Sequence, residues 1–369
     1  MAGNFFAEWL WRRPAALLGF QKRYNWPLFF IFAGALVGFS LARLQYLSPS
    51  IYATSSSPGE WYWQRAGHYR VGLYLHLGAI LPAGLLLIWQ FVPAIRHRAI
   101  IFHRINGYLV ITLIMISHVG ALMMVRRSFG GNLGFQSTMG LAVILTTTAI
   151  VLAVYNIKKL QIDQHRAWML RAMVYIAFML VISLFPNPIC PPKLTTRLPS
   201  ITFRIIMIIS AVIISAIGSY NTTMLCGEVA FINRDGANST YMALQYPSCT
   251  NSDASQPVIV HANLSGPSGE NAGASLRMSS GLAAFLALAL HVIGVEIYLR
   301  LTPREGERLR QVSATRQMEA GYKQPGSAGL VVQRFGDAEP WIMRGKEVSA
   351  DEAAAMKARN ASANGDLSA

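Results

Sequence analysis

Seven long apolar runs dominate the pattern of hydrophobic and polar residues along the chain. Each run is close to the ~20 residues that an α-helix needs to cross ~30 Å of hydrocarbon. The pattern therefore predicts an all-α fold, a polytopic membrane helical bundle of about seven transmembrane helices. The predicted spans are about 26–46, 71–95, 107–125, 137–156, 168–186, 201–219 and 280–301.

The segments between and before these runs differ in character. Residues 1–25 combine aromatic side chains with arginines, which is typical of a segment lying in the membrane interface. Residues 26–219 form a predicted six-helix membrane core, and residues 280–301 form the seventh helix. Between them, residues 220–279 are polar and have the composition of strands and turns, so we expect a loop outside the membrane.

The chain after the seventh helix predicts one more helix and then a tail. Thr302, Pro303 and Glu305 match a capping box with proline at the first helical position. They predict a soluble helix over 302–320. The tail 321–369 is rich in alanine, glycine and charged residues, and we expect it to be disordered.

The polar loop carries features of a lumenal or extracellular face. Asn221, Asn238 and Asn263 each begin an acceptor sequon for N-glycosylation, and Cys226 and Cys249 lie in the same loop. Sequons are common by chance, but three of them beside two cysteines favour an oxidising compartment. The cysteines either form a disulfide or stay free. These features predict a multi-pass glycoprotein of an endomembrane, the endoplasmic reticulum.

Two arguments disagree about the N-terminus. Six crossings before a lumenal loop place the N-terminal segment in the lumen. Arg12, Arg13, Lys22 and Arg23 favour the cytosol instead, because basic residues flank spans on the cytosolic side. An additional re-entrant or spanning segment around 186–192 would reconcile the two arguments. We expect seven spans and a lumenal N-terminus.

Composition supports a membrane protein and argues against nucleic acid as a partner. The 369 residues are 53% hydrophobic, although the chain carries a formal net charge of +15. A soluble domain of this size is less apolar. The basic residues cluster at the ends of apolar runs, where lysine and arginine act as interface anchors. The predicted partners are therefore the lipid bilayer and a lipophilic small molecule.

Carboxylates are scarce outside the polar loop and the tail, where only Glu8, Glu60, Asp163 and Glu296 occur. Glu296 lies inside an apolar run. A charge there costs several kcal/mol unless it is paired or hydrated, which makes Glu296 a candidate functional group. Two interpretations stay open: a structural ion pair with Arg204, or a desolvated and protonated carboxyl that donates a proton.

The histidines near helix ends form two possible pairs. His76 and His118 lie at one membrane depth if their helices are antiparallel neighbours, and His103 and His165 lie at the opposite face. Two such pairs suit a b-type haem or quinone-binding redox protein with axial imidazoles. The structural alternative is interfacial histidines bonded to carboxylates or backbone. His291 lies five positions before Glu296, on a different face of the same helix.

The stretch before the fifth run is the densest in functional side chains. On a helix, Asp163 can interlock with Arg166 and Arg171, with Trp168 as a residue of the aromatic belt. That would be a structural ion-pair network. The functional alternative is a proton donor, because Asp163 lies beside the imidazole of His165 at the mouth of an apolar cavity.

Five motifs stand out along the chain: Phe102–Tyr108, Ser128–Gly131, Tyr155–Lys158, Ile162–Arg171 and His291–Pro303. They resemble a family of predicted integral membrane proteins of unknown function, which occurs in bacteria and fungi. The likeness covers about residues 68–320, and its last motif resembles the fungal branch of the family. The motifs are specific to the family and define no reaction.

The chain is also similar to multipass terpene cyclases of fungal pathways for prenylated phenols, of the ascofuranone type. This resemblance implies acid-initiated cyclisation of a farnesyl chain, or its epoxide, on a phenolic meroterpenoid of secondary metabolism. The substrate would enter laterally from the lipid. No cofactor is implied, and the chain has no paired aspartate-rich motif for diphosphate and magnesium, so ionisation of a prenyl diphosphate is not expected.

Cyclisation needs one proton donor, an apolar cavity without water and aromatic faces that stabilise a carbocation. Asp163 with His165 is the preferred acid site, in which the carboxylate holds an imidazolium that delivers the proton. Glu296 is the alternative donor. Candidate lining residues are Trp61, Tyr62, Trp63, Tyr74, Tyr108 and Trp168.

Overall fold

The structure is a computed structural model of the chain. It describes residues 13–20, 25–179, 201–233, 240–250, 253–266 and 268–343, without the side chains of residues 201, 202 and 204. The chain divides into two compact units. One comprises Met1–Val143 and Ile176–Leu290, and the other comprises Ile144–Tyr175 and His291–Ala369.

The described residues are mainly helical, with one small sheet. The first elements are α1 (Arg13–Leu17), α2 (Asn25–Arg43), α3 (Pro49–Ser55), α4 (Glu60–Gln64), α5 (Gly67–Leu87), α6 (Pro93–Arg98), α7 (Ile100–Val125) and α8 (Leu133–Lys158). They are followed by α9 (Ile162–Ala177), α10 (Ile201–Ile217), β1 (Asn221–Leu225), α11 (Cys226–Asn233), α12 (Thr240–Gln245), β2 (Pro257–His261), α13 (Gly269–Leu301), α14 (Pro303–Glu319) and α15 (Val332–Phe335).

Five helices among the described residues are long and apolar enough to cross a membrane, and α10 contains a shorter apolar helix. The predicted all-α membrane class is confirmed. The predicted span 168–186 begins within α9, and its end lies outside the described residues. The five candidate spans are Asn25–Leu47, Gly67–Phe91, Ile100–Val125, Leu133–Lys158 and Gly269–Leu301.

Small residues allow α5 and α7 to pack backbone against backbone. A Cβ atom on Gly120 would lie 2.5 Å from the backbone nitrogen of His76, and one on Gly72 would lie 2.7 Å from the Cβ of Met123. Glycine at these positions removes the side chains that would separate the helices, as in other membrane helix pairs. The backbones of α5 and α7 therefore lie in close contact within the first unit.

The loop after α10 forms a small subdomain. Strands β1 and β2 pair antiparallel, and Cys226 and Cys249 form a disulfide. Buried side chains that include Val229, Met242 and Val260 give the subdomain its own core. The loop is partly helical and not only strand and turn. Its last predicted residues belong to α13, which begins at Gly269, because the residues after Gly269 are small and buried against the loop.

The N-terminal segment and this loop lie at opposite ends of the helices of the first unit. The N–H of Ala94, between α5 and α7, donates to the carbonyl of Leu18. At the other end, Asn132 donates to the carbonyl of Arg277, and Arg277 pairs with Glu228 of the loop. An odd number of crossings therefore separates the N-terminus from the loop.

This parity corrects the predicted orientation. Six crossings before the loop would put both segments on one face, whereas the contacts above put them at opposite ends; among the described residues before the loop, the candidate spans are those of α2, α5, α7 and α8. A lumenal loop therefore goes with a cytosolic N-terminus, as the basic N-terminal residues favour. The proposed extra segment around 186–192 lies outside the described residues.

The helix predicted over 302–320 is present as α14, but the predicted capping box is not formed. The hydroxyl of Thr302 donates to the carbonyl of Tyr298 at 3.0 Å, and Glu305 accepts hydrogen bonds from Arg308. Thr302 is the last residue before α14, but its hydroxyl bonds to the last turn of α13 and does not cap α14. Pro303 at the first turn still favours the start of α14.

The described part of the tail differs from the predicted disorder. Residues 326–331 pack against the connection between α8 and α9 through backbone hydrogen bonds, and Val331 is buried. Trp341 donates its indole N–H to Glu307 of α14 at 3.1 Å. Residues 344–369 lie outside the described residues.

Candidate functional site

A buried carboxyl, Glu60, stands at the centre of the most distinctive polar cluster of the first unit. Its Oε1 accepts the backbone N–H of Phe129 at 2.5 Å, and its Oε2 accepts the amide N–H of Gln64 at 2.9 Å. Gln64 also donates to Ser128 and accepts from the hydroxyl of Tyr52. Both carboxyl oxygens of Glu60 are therefore held by donors of fixed geometry.

An unusual turn between α7 and α8 aims the Phe129 N–H at Glu60. Phe129 has φ 47°, and Gly130 and Gly131 have φ 67° and 80°. A left-handed conformation is strained for a bulky residue such as phenylalanine, and the motif Ser128–Gly131 supplies glycines for the rest of the turn. Asn132 then caps α8, since its Oδ1 accepts the N–H of Phe135 at 3.0 Å.

A buried ion pair completes the cluster. The guanidinium of Arg277, near the start of α13, pairs with Glu228 of α11, and both side chains are at least nine-tenths buried. Glycines make room for them. A Cβ on Gly130 would overlap the guanidinium, and one on Gly59 would overlap the carboxylate of Glu228. We call Glu60, Gln64, Glu228 and Arg277 the acid cluster.

Burial changes the protonation of both carboxyls in the acid cluster. The pKa of Glu60 is raised to about 7, because desolvation of the charged form outweighs the opposing effects of Arg277 and the Phe129 N–H. Desolvation also raises the pKa of Glu228, against the opposing charge of Arg277. Glu60 is thus a buried carboxyl whose pKa lies near neutral pH.

Aromatic side chains share the short helix of this carboxyl, α4. The rings of Tyr52 and Trp61 lie 5.7 Å apart between centroids, and those of Tyr62 and Trp63 lie 5.0 Å apart. The guanidinium carbon of Arg127 lies 4.0 Å from the ring centroid of Trp63. Glu60 therefore shares its short helix, α4, with three of the predicted lining residues, Trp61, Tyr62 and Trp63.

The predicted acid pair Asp163 and His165 is not assembled as expected. Asp163 accepts from Gln161 at 2.8 Å, from Ser313 at 3.1 Å and from Gln164 at 3.2 Å. The Nδ1 of His165 instead contacts the carbonyl of Ala153 at 2.9 Å. Burial lowers the pKa of His165, which opposes the predicted imidazolium.

Asp163 belongs to a clamp of neutral polar groups in the second unit. Gln161 donates to the carbonyl of Gly326 and accepts the N–H of Gly329, and Gln317 accepts the N–H of Gly326 at 2.6 Å. Asn156 accepts the N–H of Leu330. These contacts bind the backbone of 326–330. We call the set Asn156, Gln161, Asp163, Ser313 and Gln317 the amide clamp.

Glu296 has a different partner from the predicted one. Arg171 donates from Nε to Oε1 at 2.6 Å and from Nη2 to Oε2 at 3.0 Å. The side chain of Arg204 lies outside the described residues. A bidentate guanidinium stabilises the charged carboxylate, so the geometry favours the structural interpretation of Glu296 over the protonated one.

The remaining side chains of this region are arranged around aromatic rings. Arg171 lies over Trp168, with its guanidinium carbon 4.6 Å from the ring centroid, and Arg166 donates to the hydroxyl of Tyr298 at 3.4 Å. The predicted interlocking of Asp163 with these arginines is therefore not formed. His291 is half-buried on α13.

The pair His76 and His118 does not form a site for a porphyrin. Ser117 contacts the Nδ1 of His76 through both its hydroxyl and its carbonyl, at 2.8 and 3.1 Å. The backbones of α5 and α7 are in contact beside His76, which leaves no gap for a macrocycle between it and His118. Among the described residues, no three His, Cys, Asp or Glu side chains group as metal ligands.

The predicted glycosylation sites differ in their surroundings. Asn221 begins β1, four residues after α10 ends, and its side chain contacts His261. Asn263 is in a turn where its side chain accepts the N–H of Ser265. Asn238 lies outside the described residues. The sequons stay predictions.

Sequence reasoning missed most of the acid cluster. Glu60 was singled out only as one of four scarce acids, and Glu228 and Arg277 were treated as part of a polar loop. Two signals pointed to them: Glu60 directly precedes Trp61, Tyr62 and Trp63, and Arg277 is a lone basic residue shortly before an apolar run.

Comparison with known proteins gives a family and no activity. Residues 73–222 match a family described as a predicted membrane protein, DUF2306. Over that region, which extends from α5 to the start of β1, the chain is similar to an uncharacterised family of membrane proteins. No curated protein and no solved structure matches the chain.

Proposed function

We propose that this integral, multi-pass membrane protein is a terpene cyclase that closes rings in a prenyl chain, or its epoxide, by protonating it with Glu60. One observation carries the proposal: a buried carboxyl with a pKa raised to about 7 lies on the same short helix as Trp61, Tyr62 and Trp63, directly before the membrane-spanning helix α5. The ideal pKa of a general acid lies near the operating pH. The substrate class is a lipophilic prenylated phenol.

The acid cluster suits the steps of such a reaction. The proton of Glu60 moves to the epoxide oxygen or the terminal alkene carbon, and the resulting cation is attacked by the next double bond. The carboxylate left behind is stabilised by the N–H of Phe129 and the amide of Gln64, which already point at it. Aromatic faces stabilise the cation. Loss of a proton at the end restores the acid, so the net reaction is an isomerisation without a cofactor.

Glu60 replaces the acids first preferred from the sequence. Asp163 has its acceptor capacity filled by Gln161, Gln164 and Ser313, and Glu296 is paired with a guanidinium. Glu60 is buried, and burial raises its pKa to about 7.

Microsomes that contain the full chain test the proposal with a farnesylated phenol and its terminal epoxide. Cyclised product, measured by mass spectrometry, should fall about 10²- to 10⁴-fold in Glu60→Gln. The matched variants Asp163→Asn and Glu296→Gln should keep turnover within a few-fold. The rate should fall as pH rises through about 7, because the protonated carboxyl is the active form. Normal turnover by Glu60→Gln at equal protein level would overturn the assignment.

A further inference from the structure

We propose that Glu228 is a positioning residue: it holds the guanidinium of Arg277 away from Glu60 and so keeps Glu60 able to carry a proton. The role of Glu60 as the acid rests on the function proposed above. The control of its charge by Glu228 is a separate property of the fold, and it is measurable without any substrate.

The geometry of Arg277 supports this role. Its guanidinium has two carboxylates within electrostatic reach, Glu228 and Glu60, but it makes its ion pair with Glu228 alone. Gly130, against which the guanidinium lies, keeps the position open. A cation favours the charged form of the acid that it approaches. Because Arg277 pairs with Glu228, it favours the charged form of Glu60 less than it would in direct contact.

The disulfide-bonded loop delivers Glu228 to this position. Glu228 lies in the first turn of α11, two residues after Cys226, whose disulfide to Cys249 fixes the start of the helix. The N–H of Gly227 donates to the carbonyl of Ala254, so the same turn is also tied to the strand region. A helix N-terminus favours a carboxylate, which helps Glu228 to stay charged and to keep Arg277.

The charged and titratable groups that face Glu60 come from three helices. They are Arg277 of α13, Glu228 of α11 and Tyr52 of α3, and the neutral donors are the N–H of Phe129 and the amide of Gln64. Removal of the charge of Glu228 should lower the pKa of Glu60 for two reasons. It removes a negative neighbour of Glu60, and it leaves Arg277 with Glu60 as its remaining carboxylate.

Infrared titration of the purified, detergent-solubilised full chain tests this inference. The carbonyl band of protonated Glu60 is identified by its absence in Glu60→Gln. Its titration midpoint should move down by about 1 to 3 pH units in Glu228→Gln, as expected when an opposite charge becomes available to a carboxyl. Asp253→Asn removes an exposed charge from the same loop and should leave the midpoint unchanged. An unchanged midpoint in a folded Glu228→Gln protein would overturn the inference.

A second set of variants guards against a folding defect. Glu228→Asp keeps the charge, so the titration midpoint of Glu60 should stay close to that of the unchanged protein. If Glu228 acted through packing alone, the shorter Asp would be at least as disruptive as Gln. If Glu228→Gln is not recovered as folded protein, Arg277→Gln decides: loss of the guanidinium should raise the titration midpoint of Glu60, and an unchanged midpoint in that variant would overturn the inference, because Arg277 would then have no influence on Glu60. A midpoint that shifts while no prenyl substrate is cyclised would reject the proposed function and leave this inference intact.

Discussion

The acid cluster and the amide clamp are two buried polar sites with opposite chemistry. In the acid cluster, one guanidinium is paired with Glu228 and lies within electrostatic reach of Glu60, and burial raises the pKa of both carboxyls. In the amide clamp, the single carboxylate Asp163 is surrounded by amide and hydroxyl donors that satisfy it. A site of shared charges can change its protonation, whereas a site of matched amides can only hold or release its partner.

The two sites also differ in their relation to the matched family region. Asn156, Gln161 and Asp163 lie inside residues 73–222, while Glu60 and Arg277 lie outside. The clamp binds the backbone of residues 326–330, which suits a structural role. The matched region therefore includes three residues of the amide clamp, whereas the proposed chemistry depends on Glu60 and Arg277, which lie outside that region.

The largest expected effect separates a buried charge pair from an exposed one. Arg277→Met removes the buried guanidinium that pairs with Glu228 and should destabilise the protein by roughly 3–5 kcal/mol. Arg308→Met breaks the exposed pair with Glu305 and should cost at most about 1 kcal/mol. Thermal unfolding in detergent measures both. The double variant Arg277→Met with Glu228→Gln should recover part of the loss; equal effects of the two single variants would contradict the distinction.

A smaller effect tests how closely the clamp fits the backbone of the tail. A Cβ on Gly329 would lie 2.6 Å from the Cβ of Gln161, so Gly329→Ala should cost about 1–3 kcal/mol of local stability. Limited trypsinolysis at Lys323 and Arg334 should become faster. Gly306 in α14 has open space around it, and Gly306→Ala should slow cleavage or leave it unchanged. Unchanged cleavage of Gly329→Ala would show that the tail is not held there.

A single exchange should give the clamp the behaviour of the acid cluster. Gln161→Glu places a second carboxyl against Asp163, and the like charges should raise the pKa of the pair. At low pH the protonated acid can still donate to Asp163, so the tail stays docked. As pH rises through the raised pKa, repulsion costs about 1–3 kcal/mol and trypsin cleavage accelerates. Gln161→Met should accelerate cleavage equally at every pH, and a pH-independent Gln161→Glu would refute the mechanism.

The smallest effect is expected for Asp163→Asn. Asparagine keeps one oxygen for Gln161 and Ser313, so stability should change by about 1 kcal/mol or less. Neither the pH profile nor the rate of cyclisation should change more than a few-fold. Loss of activity in this variant at a normal protein level would make Asp163 the proton donor instead of Glu60.

The sequence predicted the membrane-spanning fold well because hydrophobic length is a local property. The run 26–46 corresponds to a helix with similar bounds, Asn25–Arg43, and the run 107–125 lies within the longer helix Ile100–Val125. Orientation was less accessible. It depends on whether Leu18 lies beside Ala94 or beside the disulfide loop, and that is a contact between distant residues.

The sites were predicted poorly because partners depend on three-dimensional contacts. Asp163, His165 and Arg166 are neighbours in sequence, but each contacts a different part of the chain: Ser313, Ala153 and Tyr298. Conversely, Glu60 and Arg277 are far apart in sequence and meet only through the turn at Phe129 and Gly130. No local pattern contains that information.

The position of Arg277 near the start of the last long helix has a consequence for biosynthesis. Chains emerge N-terminus first, so Glu60, the turn at Phe129 and Glu228 are all synthesised before Arg277. Glu228 therefore gains its ion-pair partner only when the start of α13 has been made. The disulfide-bonded loop can fold its own core before that contact joins it to the last long helix.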